Sequence, residues 1–285
     1  MSGLTRRTTA GADRVAAWGT RWLQGGLARR LWLVLASAAA VFGLGFGTLQ
    51  AASVVAHEER TEVAEVDVAD VDSVAVDNGA GSVTVIGVEG ADTVTVRARV
   101  SDGLRATGHE VTTRERVLRV RGSCPLFGSE WCEVDYTIEV PSDMYVDADG
   151  RDGVVVSDQA GGLRAHSSEG AIELTRVGGE VTASAGQGRI EGDGLTATRL
   201  DASAGQGRVA VAFATSPDHV VAHAGQSRID IVLPDDPEVF YDTTETDASQ
   251  GSVNVAVRTD PDSDRSISAR AGQSSITIGY GTTTG

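Results

Sequence analysis

The chain has 285 residues, with 24 Arg, no Lys and 40 acidic side chains, for a net charge of −16. That length suffices for one large domain or two small ones. The acidity excludes a nucleic-acid binder, whose affinity rests on cations set against phosphates, and direct docking onto anionic lipid headgroups.

Charge is unevenly placed along the chain. Residues 1–30 hold six Arg against Asp13, a net of +5, and form a basic tail. Within it Trp18 and Trp22 lie four apart, on one face of a helix, where they serve either an interfacial helix or a cytoplasmic partner site. Residues 31–49 read LWLVLASAAAVFGLGFGTL, without a charge. Carried on through residue 55, the run has about 25 residues, which at about 1.5 Å each spans a hydrocarbon core of roughly 30 Å. Residues 31–55 are therefore expected to be one transmembrane helix. Arg29 and Arg30 on one flank and Glu58 and Glu59 on the other put the N-terminus in the cytoplasm and the body outside, in a single-pass cell-membrane protein. The rival is a cleaved signal peptide, whose apolar stretch is ordinarily shorter, about 7–15 residues.

Residues 57–72 are acidic and poor in large apolar side chains, so a linker is expected there. The predicted body spans 73–281. Strand signals open it at Val74–Val76, Val83–Val85 and Val94–Val96, punctuated by Gly79, Gly81 and Gly90. Two longer alternating runs, 111–121 and 134–140, flank the turn-rich GSCPLFGSEWC, and one antiparallel hairpin is expected over 111–140. Cys124 and Cys132 are the only cysteines. In an exported domain they form a disulfide; a redox pair would want CxxC spacing in a thioredoxin-like context.

The remaining residues repeat one phrase: SSEGAIEL at Ser167, SAGQGRIE at Ser184, SAGQGRVAV at Ser203, HAGQSRIDI at His223, ASQGSVNV at Ala248 and RAGQSSITI at Arg270. Its landmark, Glu169 then Gln187, Gln206, Gln226, Gln250 and Gln273, recurs every 18 to 24 residues. A period in that range means stacked structural units. Within each unit apolar residues alternate, as in Ile172/Leu174, Val209/Val211/Phe213, Ile229/Ile231/Leu233, Val253/Val255/Val257 and Ile276/Ile278, a strand pattern with one buried face. A second short strand precedes each landmark. The fold class read from this is all-β, a right-handed, single-stranded β-helix-like solenoid preceded by one transmembrane helix.

The basic tail, the apolar segment, then VAVDNGAGSVTVIG, the joint YTIEVPSDMYVDADGRDGVVV and the serial xASxGxIxL-like units resemble the bacterial putative-adhesin family over about residues 70–281. The resemblance implies a β-helix of the cell envelope, and it carries no catalytic residue onto this chain. It also allows a role in envelope stress.

Candidate chemistry is sparse. Arg189, Arg208 and Arg228 form a column two residues after Gln187, Gln206 and Gln226. In an acidic body this stripe could hold an anionic envelope polymer. Alternatively it is a self-neutralised face, with Glu191 and Asp230 two residues further on the same face. The Gln column itself is either a bonded amide ladder or a recognition stripe. Asp147, Asp149 and Asp158 match a calcium loop only partly, because Arg151 takes a ligand position and Asp152 the Gly position. Asp260, Asp262 and Asp264 lack the following Gly and the closing acid. His219 and His223, four apart on a strand, lie about 13 Å apart, too far for one metal. No metal and no cofactor are expected. Neither a nucleophile motif nor the aromatic platforms of a glycan-active enzyme are present in the repeat, so an enzyme is not expected. The function expected is a membrane-anchored, extracytoplasmic scaffold or adhesin-like module, with a cell-wall polymer or an envelope protein as partner. Its alternative is an envelope-stress sensor signalling through the cytoplasmic tail, with a glycan-active β-helix enzyme as the remote third.

Overall fold

A computed structural model describes residues 58–102, 106–125 and 132–281. The chain divides into two units, Met1–Val55 and Ala56–Gly285. The expected basic tail and the expected transmembrane helix lie outside the described residues. Among the described residues no helix is long and apolar enough to cross a membrane.

The described residues of the body are all-β, interrupted among them by a single 3₁₀ turn at Val68–Asp70. Its strands are β1 (Glu58–Asp67), β2 (Ser73–Asn78), β3 (Ser82–Val88), β4 (Thr93–Asp102), β5 (Gly108–Arg114), β6 (Val117–Ser123) and β7 (Glu133–Pro141). There follow β8 (Tyr145–Gly150), β9 (Gly153–Ser157), β10 (Leu163–Ser167), β11 (Ala171–Thr175), β12 (Gly178–Ala185), β13 (Ile190–Ala204) and β14 (Val209–Phe213). The last six are β15 (His219–Ala224), β16 (Ile229–Leu233), β17 (Thr246–Ala248), β18 (Val253–Val255), β19 (Ser266–Ala271) and β20 (Ile276–Tyr280).

These strands form two ladders joined through β13, which bends from one into the other. The first runs β5–β6–β2–β8–β10–β12–β13–β15–β19–β17. The second runs β1–β4–β7–β3–β9–β11–β13–β14–β16–β20–β18. All pairings are parallel except β5–β6, β1–β4 and β4–β7. One strand from each ladder, with the turn between them, makes a rung of the stack.

The alternation in sequence explains which side of each strand is buried. In the first ladder Val146, Leu163, Val181, Leu200, Val220 and Ile267 stand in register, and Ala148, Ala165, Ala183, Ala202, Ala222 and Ala269 form the column beside them. The second ladder aligns Val154, Ile172, Ile190, Val209, Ile229 and Ile276. All of these are 2% exposed or less. An Ala column beside a column of branched residues keeps the interior thin, within the close packing that a folded interior requires.

Two expectations are corrected. The expected linker 57–72 is largely β1, paired with β4 along its whole length from Glu58↔Asp102 to Asp67↔Thr93. Its inward-facing Ala64 and Val66 are weak apolar signals, but the ladder supplies the backbone bonds that hold it. The expected hairpin over 111–140 does not form. Run 111–121 itself folds back as the β5–β6 hairpin, and β7 joins the other ladder between β4 and β3. The turn residues Glu115 and Arg116 both have positive φ, 52° and 62°, as a tight two-residue hairpin turn demands. The rungs, moreover, do not follow sequence order. The rung β2/β3 lies inside β6/β7, and the last rung in sequence, β19/β20, lies inside β17/β18.

Candidate functional site

The repeated phrase becomes a column of tight turns linking the ladders. Gly186, Gly205, Gly225 and Gly272 stack there because each would otherwise drive a Cβ into the carbonyl of the neighbouring turn. The added atom would lie 2.5 Å from the Ser168 oxygen, 2.4 Å from that of Gly186, 2.2 Å from that of Gly205 and 2.1 Å from that of Gly225. Next in each turn come Glu169, Gln187, Gln206, Gln226, Gln273 and Gln250, in that spatial order, all exposed. The amides of Gln187, Gln206 and Gln226 make no hydrogen bond to one another, so of the two readings left open by the sequence the bonded ladder does not form. What forms is a row of exposed amides at the strand spacing, about 4.8 Å.

Arg189, Arg208 and Arg228 are exposed beside this row, at the entry to the second ladder. Each already faces a carboxylate. Arg189 Nε lies 2.9 Å from Glu191, and its Nη2 lies 3.6 Å from Glu173. Arg208 also bonds Glu191, and Arg228 Nε lies 3.8 Å from Asp230. The Arg208 guanidinium, aided by Arg189, holds the Glu191 carboxyl below the ordinary carboxylate range. Three Arg against Glu173, Glu191 and Asp230 leave the stripe without net charge.

At the far end, where β6 passes to β7, Cys124 and Cys132 are bonded. Thr107 Oγ1 lies 3.2 Å from the Cys132 sulfur. Beneath this end sits a polar group that the sequence did not announce. Tyr136, 1% exposed, donates its hydroxyl to the Arg121 carbonyl at 2.9 Å, and the Nδ1 of His109 lies 2.8 Å from the Tyr136 hydroxyl oxygen. The other His109 nitrogen lies 3.6 Å from Glu62. Burial raises the Tyr136 phenol above its ordinary range. It also lowers the His109 imidazole, with Glu62 opposing it. These residues come from β1, β5, β6 and β7, which only the folded ladders bring together.

The acidic residues weighed as calcium ligands are separated. Asp147 and Asp149 share the outer face of β8, whereas Asp158 follows β9 and is held by Arg176 at 2.6 Å. Among the described residues no group of three or more His, Cys, Asp or Glu could hold a metal ion. His219 bonds Ser266 across the ladder at 3.0 Å, and His223 faces outward on the same strand.

The described residues thus define an all-β protein of two largely parallel ladders with periodic turns. No family model matches the chain, and no curated protein matches it. Solved structures do resemble it. A putative cell adhesion protein from Clostridium sporogenes is 12% identical and aligns over 79% of this chain and 100% of its own, with a TM-score of 0.38. A putative adhesin from Bacteroides fragilis is 14% identical over 78% of this chain and 97% of its own, with a TM-score of 0.38. A putative lipid binding protein from Parabacteroides distasonis is 11% identical over the same shares, with a TM-score of 0.42. At these scores the likeness assigns no ligand or activity to this chain.

Proposed function

We propose that the chain is a membrane-anchored, extracytoplasmic β-solenoid that serves as an adhesin-like interaction or scaffold module of the cell envelope. The solenoid reading is supported by the parallel registers, in which each rung lies over the next with its Ala and branched columns aligned. The anchored, outward-facing reading is supported by the charge-free run at 31–49 and its Arg29–Arg30 flank. The observation that carries the function is the row of exposed Gln amides repeated at the strand spacing. An amide offers one acceptor and two donors, and a row of them matches a polymer that repeats its hydroxyl groups along its length. The Arg stripe is less suited to a polyanion than its sequence suggests, because the ligand would have to displace Glu191 or Asp230. The occupant proposed is therefore a hydroxyl-rich envelope polysaccharide.

The test measures binding of the full-length chain to a soluble neutral polysaccharide and to a polyanionic one, at low and high salt. Binding to the neutral polymer should change little with salt, because no counterions are released. Replacing Gln187, Gln206 and Gln226 together by Ala should remove it. Preference for the polyanion, with binding lost on replacing the three Arg by Ser, would restore the Arg stripe as the site and overturn the amide row.

A further inference from the structure

The two ends of the ladders are finished differently. At one end the parallel rungs are covered by antiparallel strands, β5 over β6 and β4 with β1 over β7. The outermost strands there are dense in charge, EERTEVAEVD in β1, which is how sheet edges are ordinarily guarded against pairing. At the other end the last rung is β17 with β18. Each pairs on one side only, β17 with β19 and β18 with β20. Nothing among the described residues covers them.

Among the described residues, two features distinguish this end from the capped one. Val253 is in register with Ile276, a core position at 0% exposure, yet Val253 is 43% exposed. A core-facing side chain is left uncovered. The backbone is unpaired as well. The Ser252 carbonyl accepts from the Ile276 N–H at 2.9 Å, and the Ala256 N–H donates to the Ile278 carbonyl at 2.8 Å. Successive residues of a strand point their bonding groups to opposite sides, so the N–H and C=O of Val253 and Val255 point away from β20 to the free edge. The strand VNV carries no charge and no Pro to guard that edge.

The surroundings say what could occupy it. Residues 234–265 hold nine acidic side chains, Asp235, Asp236, Glu238, Asp242, Glu245, Asp247, Asp260, Asp262 and Asp264, against Arg258 and Arg265, a net of −7. Both Arg are engaged, Arg258 with Asp235 at 2.7 Å and Arg265 with Asp218 at 3.1 Å. A second copy would bring the same charge to the same place and be repelled. We propose that this end docks an extended, positively charged segment of another polypeptide, which adds as a strand to the β18 edge. Main-chain bonds to Val253 and Val255 supply the affinity common to strand addition. The acidic surround selects Arg- or Lys-bearing partners and steers their approach. This site is independent of the Gln row.

The experiment uses the full-length chain and a synthetic peptide of about eight residues alternating Arg and Val, long enough for one strand. An alternating Glu–Val peptide is the control. The Arg–Val peptide should bind, weaken with salt, and slow hydrogen exchange at the amides of residues 253 and 255 by tenfold or more. The Glu–Val peptide should not bind. Replacing Val253 and Val255 by Pro removes the outward donors without taking a bond from the ladder to β20, since Pro is tolerated where its missing N–H faces solvent. That change should cost at least tenfold in affinity while the melting curve is kept. Equal binding by the Pro variant, with no exchange protection at 253 and 255 in the unaltered chain, would reduce the effect to charge alone and overturn the proposal. So would the absence of peptide binding together with a concentration-dependent dimer that the Pro change abolishes, which would assign the end to a second copy.

Discussion

The AGQ wording of the repeat is a steric record. Gly205 sits where a Cβ would lie 2.4 Å from the Gly186 carbonyl oxygen, and the same conflict recurs one rung up at Gly225. Gly205→Ala should therefore force the turn apart and cost about 1–3 kcal/mol, as overpacking does. Gly279, in β20, meets nothing within 4 Å. Gly279→Ala should be neutral or raise stability by about 0.4–1 kcal/mol through the unfolded chain. Paired denaturant melts check this, and equal effects at the two positions would remove the steric reading of the column. The glycines were legible in the sequence as repeat landmarks. Their reason was not, because the clashing carbonyl belongs to a residue about 19 positions away.

At the scale of elements the most informative failure is the hairpin. Residues 111–121 read on paper as one strand, and the turn at Glu115–Arg116 has none of the Asn-Gly or Asp-Gly wording that ordinarily marks such turns. Arg116 is held instead by tertiary partners, Asp72 through both Nε and Nη2 at 2.6 Å and the Ala69 carbonyl at 2.9 Å. These contacts lie more than 40 residues back in the chain, so no local signal reports them. The disulfide, by contrast, was legible from the cysteine count together with the expected export of the body. It closes a ring of nine residues between β6 and β7, and the loop-entropy account gives roughly 2–3 kcal/mol for that ring. Cys124→Ser with Cys132→Ser should lower the melting temperature accordingly. Hydrogen exchange should accelerate first in 117–141 and leave 163–233 unchanged. Acceleration spread evenly over all rungs would mean that the bond acts on the whole body rather than on its end.

For the whole molecule, the order of the rungs sets how the ends are held. Because β19/β20 lies between β15/β16 and β17/β18, the rung β17/β18 is paired with the body, among the described residues, through the last strands of the chain. Ending the chain after Arg265 should release it. Limited proteolysis should then cut within 234–265 while 145–233 stays protected. Continued protection of 234–265 would show that β17/β18 re-pairs on β15/β16, which its similar wording would permit. Stacks of this kind couple each unit chiefly to its neighbours, so damage at one end should stay local.

The sequence by itself determined the all-β class, the buried face and the turn of the repeated units, and the disulfide, because each of these depends on alternation, spacing or count within one or two units. The self-neutralising Arg189, Arg208 and Arg228 stripe was half legible, since Glu191 and Asp230 are two residues away, while Glu173 reaches Arg189 only across a rung. Tertiary structure alone decided which strands are neighbours. One unit's strand edge and apolar face look like another's, so the same local pattern fits several positions in a stack. The position actually taken is chosen by contacts between units far apart in the chain: β1 on β4, the His109–Tyr136 pairing beneath one end, and β19/β20 inserted at the other.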